Sequence, residues 1–187
     1  MQPHAFAASL KLMRRIYLVA LCVALTVRSV AANDSHSHDF DFEFGRPWTA
    51  HLHLLGKPLA GSHSWMDFRG TLVSHQLWNG KGNISELVVR NGSSSIVGGA
   101  LHLYNPDTRE WSVWFANAAT GTLGVPAVGR FEHGRGVLYD REAYHGRMVR
   151  VRQIFSNISA HTFDFHQAFS TDNGKTWETN LIINYAR

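Results

Sequence analysis

The chain has 187 residues, of which 44% are hydrophobic and 17% charged, and its formal net charge is +4. The four basic residues behind this excess and the single cysteine, Cys22, all lie in the first 32 positions, which leaves 14 basic and 14 acidic residues beyond them. Because the domain is neutral, it lacks the basic field that binds nucleic acid. Because it has no cysteine, disulfides and thiolate metal sites are also excluded.

Residues 1–32 have the pattern of a secretory signal peptide. Basic residues precede an apolar run over 16–27, and Val30-Ala31-Ala32 fits the small-residue rule for cleavage. An apolar run of about twelve residues is shorter than the roughly twenty that span a bilayer. The sequence therefore predicts an exported protein, periplasmic or extracellular, without stable membrane insertion after cleavage. Residues 33–38 are polar and are expected to form a flexible tail.

Segments of strand-like alternation follow one another from residue 39 to the end of the chain. Turn sequences such as Asn91-Gly92 and Asn105-Pro106-Asp107 separate them, which favours antiparallel hairpins. Helical periodicity is not sustained anywhere. Residues 39–44 are a candidate for a helical turn or two and would equally suit a strand, and in a closed barrel such a segment can plug one end. The predicted strands are 48–55, 64–71, 74–78, 86–90, 96–104, 110–116, 128–132, 136–139, 147–156, 161–170 and 177–185.

Three stretches of sequence carry a resemblance to a known family. They are LYNPDTREWSVW at 103–114, VGRFEHGRGVLY at 128–139 and the ending from FHQAFS to NYAR. They resemble a bacterial family similar to DUF1579-type, lipocalin-like (calycin) barrels. The resemblance covers 39–187 and implies a single all-β domain, an antiparallel lipocalin-like barrel of roughly 8 to 11 strands. It implies no particular reaction.

A motif between the last two predicted strands matches the Asp-box of sialidase-type propellers. Ser170, Asp172, Gly174 and Trp177 give the pattern S-x-D-x-G-x-x-W. In such a turn the Asp side chain binds backbone amides, Gly adopts a left-handed backbone angle and Trp packs across the strands. A propeller needs several blades, so a single copy predicts a structural turn and not a glycosidase.

Polar residues alternate with aromatic residues in the final three strands. Strand pairing would bring Arg152, His166, Glu178 and Asn180 together if their common face points into the barrel. They would then orient a ligand, or His166 and Glu178 would act as acid and base. If the face points outward, they form exposed cross-strand pairs of little energetic effect.

The sequence therefore leaves three functions open. The first is binding of a small hydrophobic molecule, and the second is a small acid/base enzyme, an isomerase, cyclase or hydrolase. The third is a structural or interaction module with a filled barrel. The residues expected to line a ligand site are Trp65, Arg69, Trp114, Arg152, His166 and Asn180.

Histidines raise two further possibilities. Haem is a variant of the binding hypothesis, with His166 or His145 as its ligand, although the sequence contains no haem motif. His51 and His53 share one strand face with a spacing that suits a metal pair, but the pattern favours simple exposure of that face, and no metal site is predicted. Apart from this haem variant the sequence predicts no cofactor, and it does not determine the oligomeric state.

Overall fold

The predicted strands are present in the computed structural model, which describes residues 35–187. The predicted segments 64–71 and 74–78 form one long strand, and a short strand at 122–123 was not predicted. The strands are Trp48–Leu55 (β1), Trp65–Leu77 (β2), Gly82–Asn91 (β3), Ser94–Asn105 (β4), Glu110–Asn117 (β5), Thr122–Leu123 (β6), Ala127–Glu132 (β7), Arg135–Tyr144 (β8), Arg147–Ser156 (β9), Thr162–Ser170 (β10) and Glu178–Ala186 (β11). The predicted signal peptide lies outside the described residues.

The strands form one closed antiparallel sheet. Neighbours follow the order β4-β3-β2-β1-β11-β10-β9-β8-β7-β5, and a further pairing between β4 and β5 closes the ring. Ten strands make the barrel, and β6 is an additional strand on the edge of β5. Closure gives each barrel strand two neighbours, so the fold avoids the free edges of an open sheet. The predicted all-β barrel is confirmed.

One part of the barrel wall is open. Strand β7 pairs with β5 only as far as Val113↔Ala127, and with β8 only as far as Val128↔Tyr139. Beyond these pairs β5 continues with β6, whereas the β8 segment from Asp140 to Tyr144 pairs with β9 alone among residues 35–187. The barrel wall therefore has a gap between β8 and the β5–β6 hairpin at one end of the barrel.

The opposite end of the barrel is closed by the segment before β1. Asp41–Glu43 forms a 3-10 turn, which is one of the two conformations that the sequence left open for this region. Phe40 is buried there and makes edge-on ring contacts with Trp111, Phe131 and Phe155 at centroid distances of 4.9, 4.9 and 5.0 Å. Such edge-to-face pairs add to the gain from apolar burial. The plug is therefore part of the hydrophobic core.

The 3-10 turn Ser35–His38 covers part of the segment predicted as a flexible tail. Trp111 donates its indole N–H to the carbonyl oxygen of His36 at 3.0 Å, which holds this turn against the barrel. Within residues 35–187 no helix has the length and apolar character needed to cross a membrane.

Candidate ligand cavity

The barrel encloses a cavity of about 450 Å³ between the plug and the open part of the wall. This volume lies within the range of small-molecule sites. Alternate residues of each strand point inward, and most of the lining is apolar because the larger hydrophobic residues occupy these positions. The apolar lining includes Leu52, Leu54, Leu72, Leu87, Ile96, Val113, Phe155, Phe163, Phe165, Leu181 and Ile183. A barrel without a cavity, the third function left open by the sequence, does not fit this structure.

Two carboxylates of β8 face the cavity beside the open wall. Asp140 and Glu142 follow Gly136 and Leu138 on the inner face, because alternate residues of a strand point to one side. Burial, followed by the charge of Glu142, raises the pKa of Asp140 to about 7. Burial also raises the pKa of Glu142. Oδ1 of Asp140 is buried and has no hydrogen-bond partner among the described residues.

A second polar group lies at the closed end of the cavity. Glu43 of the plug accepts a hydrogen bond from the Ser74 hydroxyl at 3.0 Å, and its Oε2 lies 3.8 Å from Nδ1 of His102. Burial raises the pKa of Glu43 to about 8 and lowers that of His102 to about 3. The imidazole stacks on Phe40 at a centroid distance of 4.3 Å. Both groups are therefore neutral at pH 7.

Amide side chains line the wall next to the β8 carboxylates. Gln153 of β9 and Gln167 of β10 are directly opposite one another and both face the cavity. Gln167 donates to Oδ1 of Asn180 at 3.3 Å. Asn180 reaches this position because the pairing of β10 with β11 shifts register after Gln167. One wall of a mostly apolar cavity therefore carries both carboxylates and amides.

The entrance lies at the β5–β6 hairpin. Phe115 lines the cavity and is still 43% exposed, and Val125 and Leu123 are more exposed. Gly124 donates its N–H to the Phe115 carbonyl oxygen at 2.9 Å, which holds the hairpin in place. Exposed apolar side chains beside an apolar cavity are typical of a ligand entrance.

None of the six residues expected to line a ligand site is among the residues that line this cavity. Trp65 and Arg69 are exposed on β2, and Asn180 is linked to the cavity only through its hydrogen bond to Gln167. The candidates in the final strands would line the cavity only if the polar face of those strands pointed inward. Instead, Phe163 and Phe165 of β10 point inward, because their burial removes more apolar surface from water than any polar contact recovers.

Arg152 and Trp177 form part of the outer surface. The guanidinium of Arg152 lies over the Trp177 ring at 4.4 Å, and Arg150 lies over Tyr139 at 4.6 Å. Trp177 also donates its indole N–H to the Gly174 carbonyl oxygen at 3.0 Å. The Asp-box therefore has the structural role predicted for it, with Gly174 at φ +93°.

The proposed acid/base pair does not assemble. His166 pairs with Ile154 and Ile182, whereas Glu178 pairs with Phe169 and accepts a hydrogen bond from the backbone N–H of Leu59 at 2.5 Å. Glu178 is four residues along β11 from Ile182, the partner of His166 in that strand, and neither side chain lines the cavity.

The histidines proposed as haem ligands also lie elsewhere. Neither His166 nor His145 is a lining residue, and the one cavity-lining histidine of residues 35–187 is His102. Its ring is stacked on Phe40, its Nδ1 lies 3.8 Å from Oε2 of Glu43, and the residue is 2% exposed. The residues present do not fit a haem held as the sequence suggested.

Sequence reasoning missed Asp140 and Glu142 because the predicted strand ended at Tyr139. The segment DREAY has no hydrophobic alternation, so the pattern predicts no strand there. The available signal was the register of β8. Gly136 and Leu138 point inward, and the same alternation places Asp140 and Glu142 on the inner face. Glu43 and His102 come together only through docking of the plug, which local sequence does not encode.

The fold is similar to a solved structure, an S-type phycobiliprotein lyase from Guillardia theta. The TM-score is 0.54 at 12% sequence identity, and the match covers 79% of this chain and 89% of that chain. At this identity the likeness shows a shared lipocalin-like barrel and nothing finer. Comparisons with family models and with curated proteins find no match.

Proposed function

We propose that this protein binds a small, largely apolar molecule inside the barrel and that the ligand presents a cationic or hydrogen-bond-donating group to Asp140. The observation that carries the proposal is the partnerless, buried Oδ1 of Asp140 in the wall of an apolar cavity. A buried acceptor without a donor costs about 1–3 kcal/mol. A ligand that supplies the donor recovers this free energy on binding.

The remaining lining supports the same class of ligand. Leu52, Leu54 and Phe165 offer apolar surface, while Glu142 and Gln153 lie beside Asp140 and extend the polar wall. A site of this kind orients an elongated molecule, with its apolar part toward the plug and its polar group at the carboxylates. The opening between β8 and the β5–β6 hairpin gives the ligand a path that passes these carboxylates.

Linear tetrapyrroles are one member of this class. They carry pyrrole N–H donors on a conjugated apolar framework, their two propionate groups would have to lie away from Asp140 and Glu142, and the similar barrel from Guillardia theta is named as a phycobiliprotein lyase. The proposal also includes export directed by residues 1–32 and membership of the DUF1579-type family. It needs neither nucleic acid nor a membrane as a partner.

The test is competition with a fluorescent apolar probe. N-phenyl-1-naphthylamine is bound to the purified protein at about pH 8, where Asp140 is ionised, and is displaced by dodecylamine or by dodecanoate. These competitors share an alkyl chain and differ in the charge of the head group. We expect the amine to compete at a concentration at least about tenfold lower, which corresponds to about 1.4 kcal/mol. Biliverdin, followed by its absorption, is the third ligand.

Variants test whether the preference for the amine over the carboxylate arises from the two cavity carboxylates. Asp140→Asn with Glu142→Gln should abolish the advantage of the amine while the probe still binds. Glu132→Gln, which changes an exposed carboxylate of β7, is the matched control and should leave the advantage unchanged. Equal competition by the two alkyl compounds, or a preference that survives in the double variant, would contradict the proposal.

The second candidate function is an enzyme, which would use residues other than the predicted His166 and Glu178. Asp140, with a pKa of about 7, is the group in the cavity that is suited to proton transfer near neutral pH. Retention of turnover by Asp140→Asn would exclude it as the acid or base.

A further inference from the structure

Two histidines and an aspartate come together on the outer face of the barrel, on the side of the strands that faces away from the cavity. Nδ1 of His53 lies 2.5 Å from Oδ1 of Asp67, and Nε2 of His51 lies 3.6 Å from the same oxygen. The two imidazole rings are 4.2 Å apart between centroids. One donor atom from each of the three residues fits within a span of 4.8 Å.

Strand pairing fixes this arrangement. His51 and His53 alternate with the inward-facing Leu52 and Leu54, so both imidazoles point outward from β1. Asp67 of β2 is directly opposite His53 in the antiparallel register. Because β1 is paired on both sides, with β2 and β11, the spacing of the histidines depends on a rigid ladder and not on a loop.

The donor set is that of a transition-metal site. Metal bonds to imidazole nitrogen and carboxylate oxygen are about 2.0–2.2 Å long, so two donors on one tetrahedral metal are about 3.3 Å apart. The distances of 2.5 and 3.6 Å to Asp67 bracket this separation. Asp67 is 62% exposed and is therefore free to adjust, whereas the histidine side chains are about 30% exposed.

We propose that His51, His53 and Asp67 form a binding site for a divalent transition metal of the Zn²⁺ class on the outer wall of the barrel. Two imidazoles and one carboxylate suit Zn²⁺, whereas Mg²⁺ and Ca²⁺ prefer sites made of oxygen ligands. Three protein ligands leave further coordination positions open to solvent, where water or a donor from another molecule binds.

One neighbouring charge acts against the metal. Arg69 is opposite His51 on β2, on the same outer face as the three ligands. A guanidinium close to a divalent cation repels it, so the site in the unaltered protein is weakened by this residue. Replacing Arg69 with Gln should therefore strengthen metal binding, an effect that general damage to the fold cannot produce.

The experiment is isothermal titration of ZnCl₂ into the full chain purified without a polyhistidine tag. We expect one Zn²⁺ per chain, with affinity reduced at least about tenfold by His51→Gln, His53→Gln or Asp67→Asn. Arg69→Gln should increase the affinity, and excess Mg²⁺ should not compete. Thermal unfolding without metal checks that each variant is folded.

A control variant distinguishes this site from a second pair of histidines that lies near acidic residues. His36 and His38 lie beside Asp39 and Asp41 in the 3-10 turns before β1. The variant His36→Gln/His38→Gln should bind Zn²⁺ at His51, His53 and Asp67 with unchanged affinity. The proposal is overturned if no Zn²⁺ binds, if this control variant loses the binding, or if the three ligand substitutions leave it unchanged.

Discussion

Oε2 of Glu43 lies 3.8 Å from Nδ1 of His102 at the closed end of the cavity, yet the two side chains do not form an ion pair. Burial favours the uncharged form of each, with a pKa of about 8 for Glu43 and about 3 for His102. A neutral carboxyl bonded to Ser74 and a neutral imidazole stacked on Phe40 avoid the cost of two buried charges.

This relationship predicts how stability depends on pH. Folded Glu43 keeps its proton up to about pH 8, whereas the unfolded residue loses it near its ordinary pKa of 4.5. Between these values the folded state binds more protons, so stability decreases as pH rises, by at most about 1.4 kcal/mol per pH unit. Glu43→Gln should remove most of the decrease between about pH 7 and 8, measured by urea unfolding at a series of pH values. The exposed Glu132→Gln should retain it, and an unchanged slope in Glu43→Gln would refute the assignment.

Arg187 fastens the plug. Its guanidinium donates to the carbonyl oxygens of Phe44, Phe42 and Ala160 at 2.6, 3.3 and 3.2 Å and lies 3.9 Å from the centre of the Trp48 ring. Charged hydrogen bonds and a cation–π contact each contribute about 0.5–3 kcal/mol. We expect Arg187→Ala to lower the free energy of unfolding by about 2–4 kcal/mol in urea titrations.

Two further variants separate geometry from charge at this position. Arg187→Lys keeps the charge but loses the planar fork that bonds several carbonyls at once, so it should recover less than half of the loss. Arg147→Ala, which removes an exposed arginine of β9, should change the stability little. Full recovery by lysine would show that charge alone fastens the plug.

The Asp-box turn depends on one carboxylate. Asp172 accepts hydrogen bonds from the N–H groups of Lys175 and Thr176, from the Thr176 hydroxyl and from the Ser170 hydroxyl. These bonds, led by those from Thr176, hold its pKa below the usual range. The stabilisation is therefore present above the unfolded pKa near 3.8 and is lost as pH falls below it.

Asp172→Ala should lower the thermal unfolding temperature by a few degrees and alter the near-ultraviolet circular dichroism of Trp177. Asp172→Asn keeps one acceptor oxygen and should have a smaller effect. If the temperature difference between Asp172→Ala and the unaltered protein persists undiminished at pH 2, the hydrogen bonds to the ionised carboxylate are not its cause.

The alternating pattern predicted the strands well because it is local. The segment 48–55 and the segment 147–156 match β1 and β9 residue for residue. Alternation shows that a strand has two different faces, but not which of them is inside. Arg152 and His166 were considered for the cavity for this reason, whereas closure of the barrel places Phe155 and Phe165 there.

The polar wall was indicated only by the register of β8, and the local hydrophobic pattern does not predict it because its stability depends on distant parts of the chain. An inward-facing Asp140 is unfavourable by itself and contradicts the hydrophobic pattern of a strand. It becomes tolerable on a cavity wall that also carries Gln153 of β9 and lies next to an opening, which exists because β7 begins only at Ala127. Departures from a local rule of this kind are expected at functional sites.

Binding of an amine by the cavity should depend on pH through Asp140. Its pKa of about 7 means that the carboxylate is mostly ionised at pH 8 and mostly protonated at pH 6. An ammonium group gains from the ionised form, so the dissociation constant of dodecylamine should increase as pH falls from 8 to 6, by up to about tenfold per unit. N-phenyl-1-naphthylamine, which is neutral over this range, serves as the internal control and should bind almost equally throughout. Asp140→Asn should bind the amine weakly and with much less dependence on pH. Some dependence should remain, because Glu142 still provides a carboxylate in the wall. An equal loss of affinity for both ligands on acidification would assign the effect to the fold rather than to Asp140.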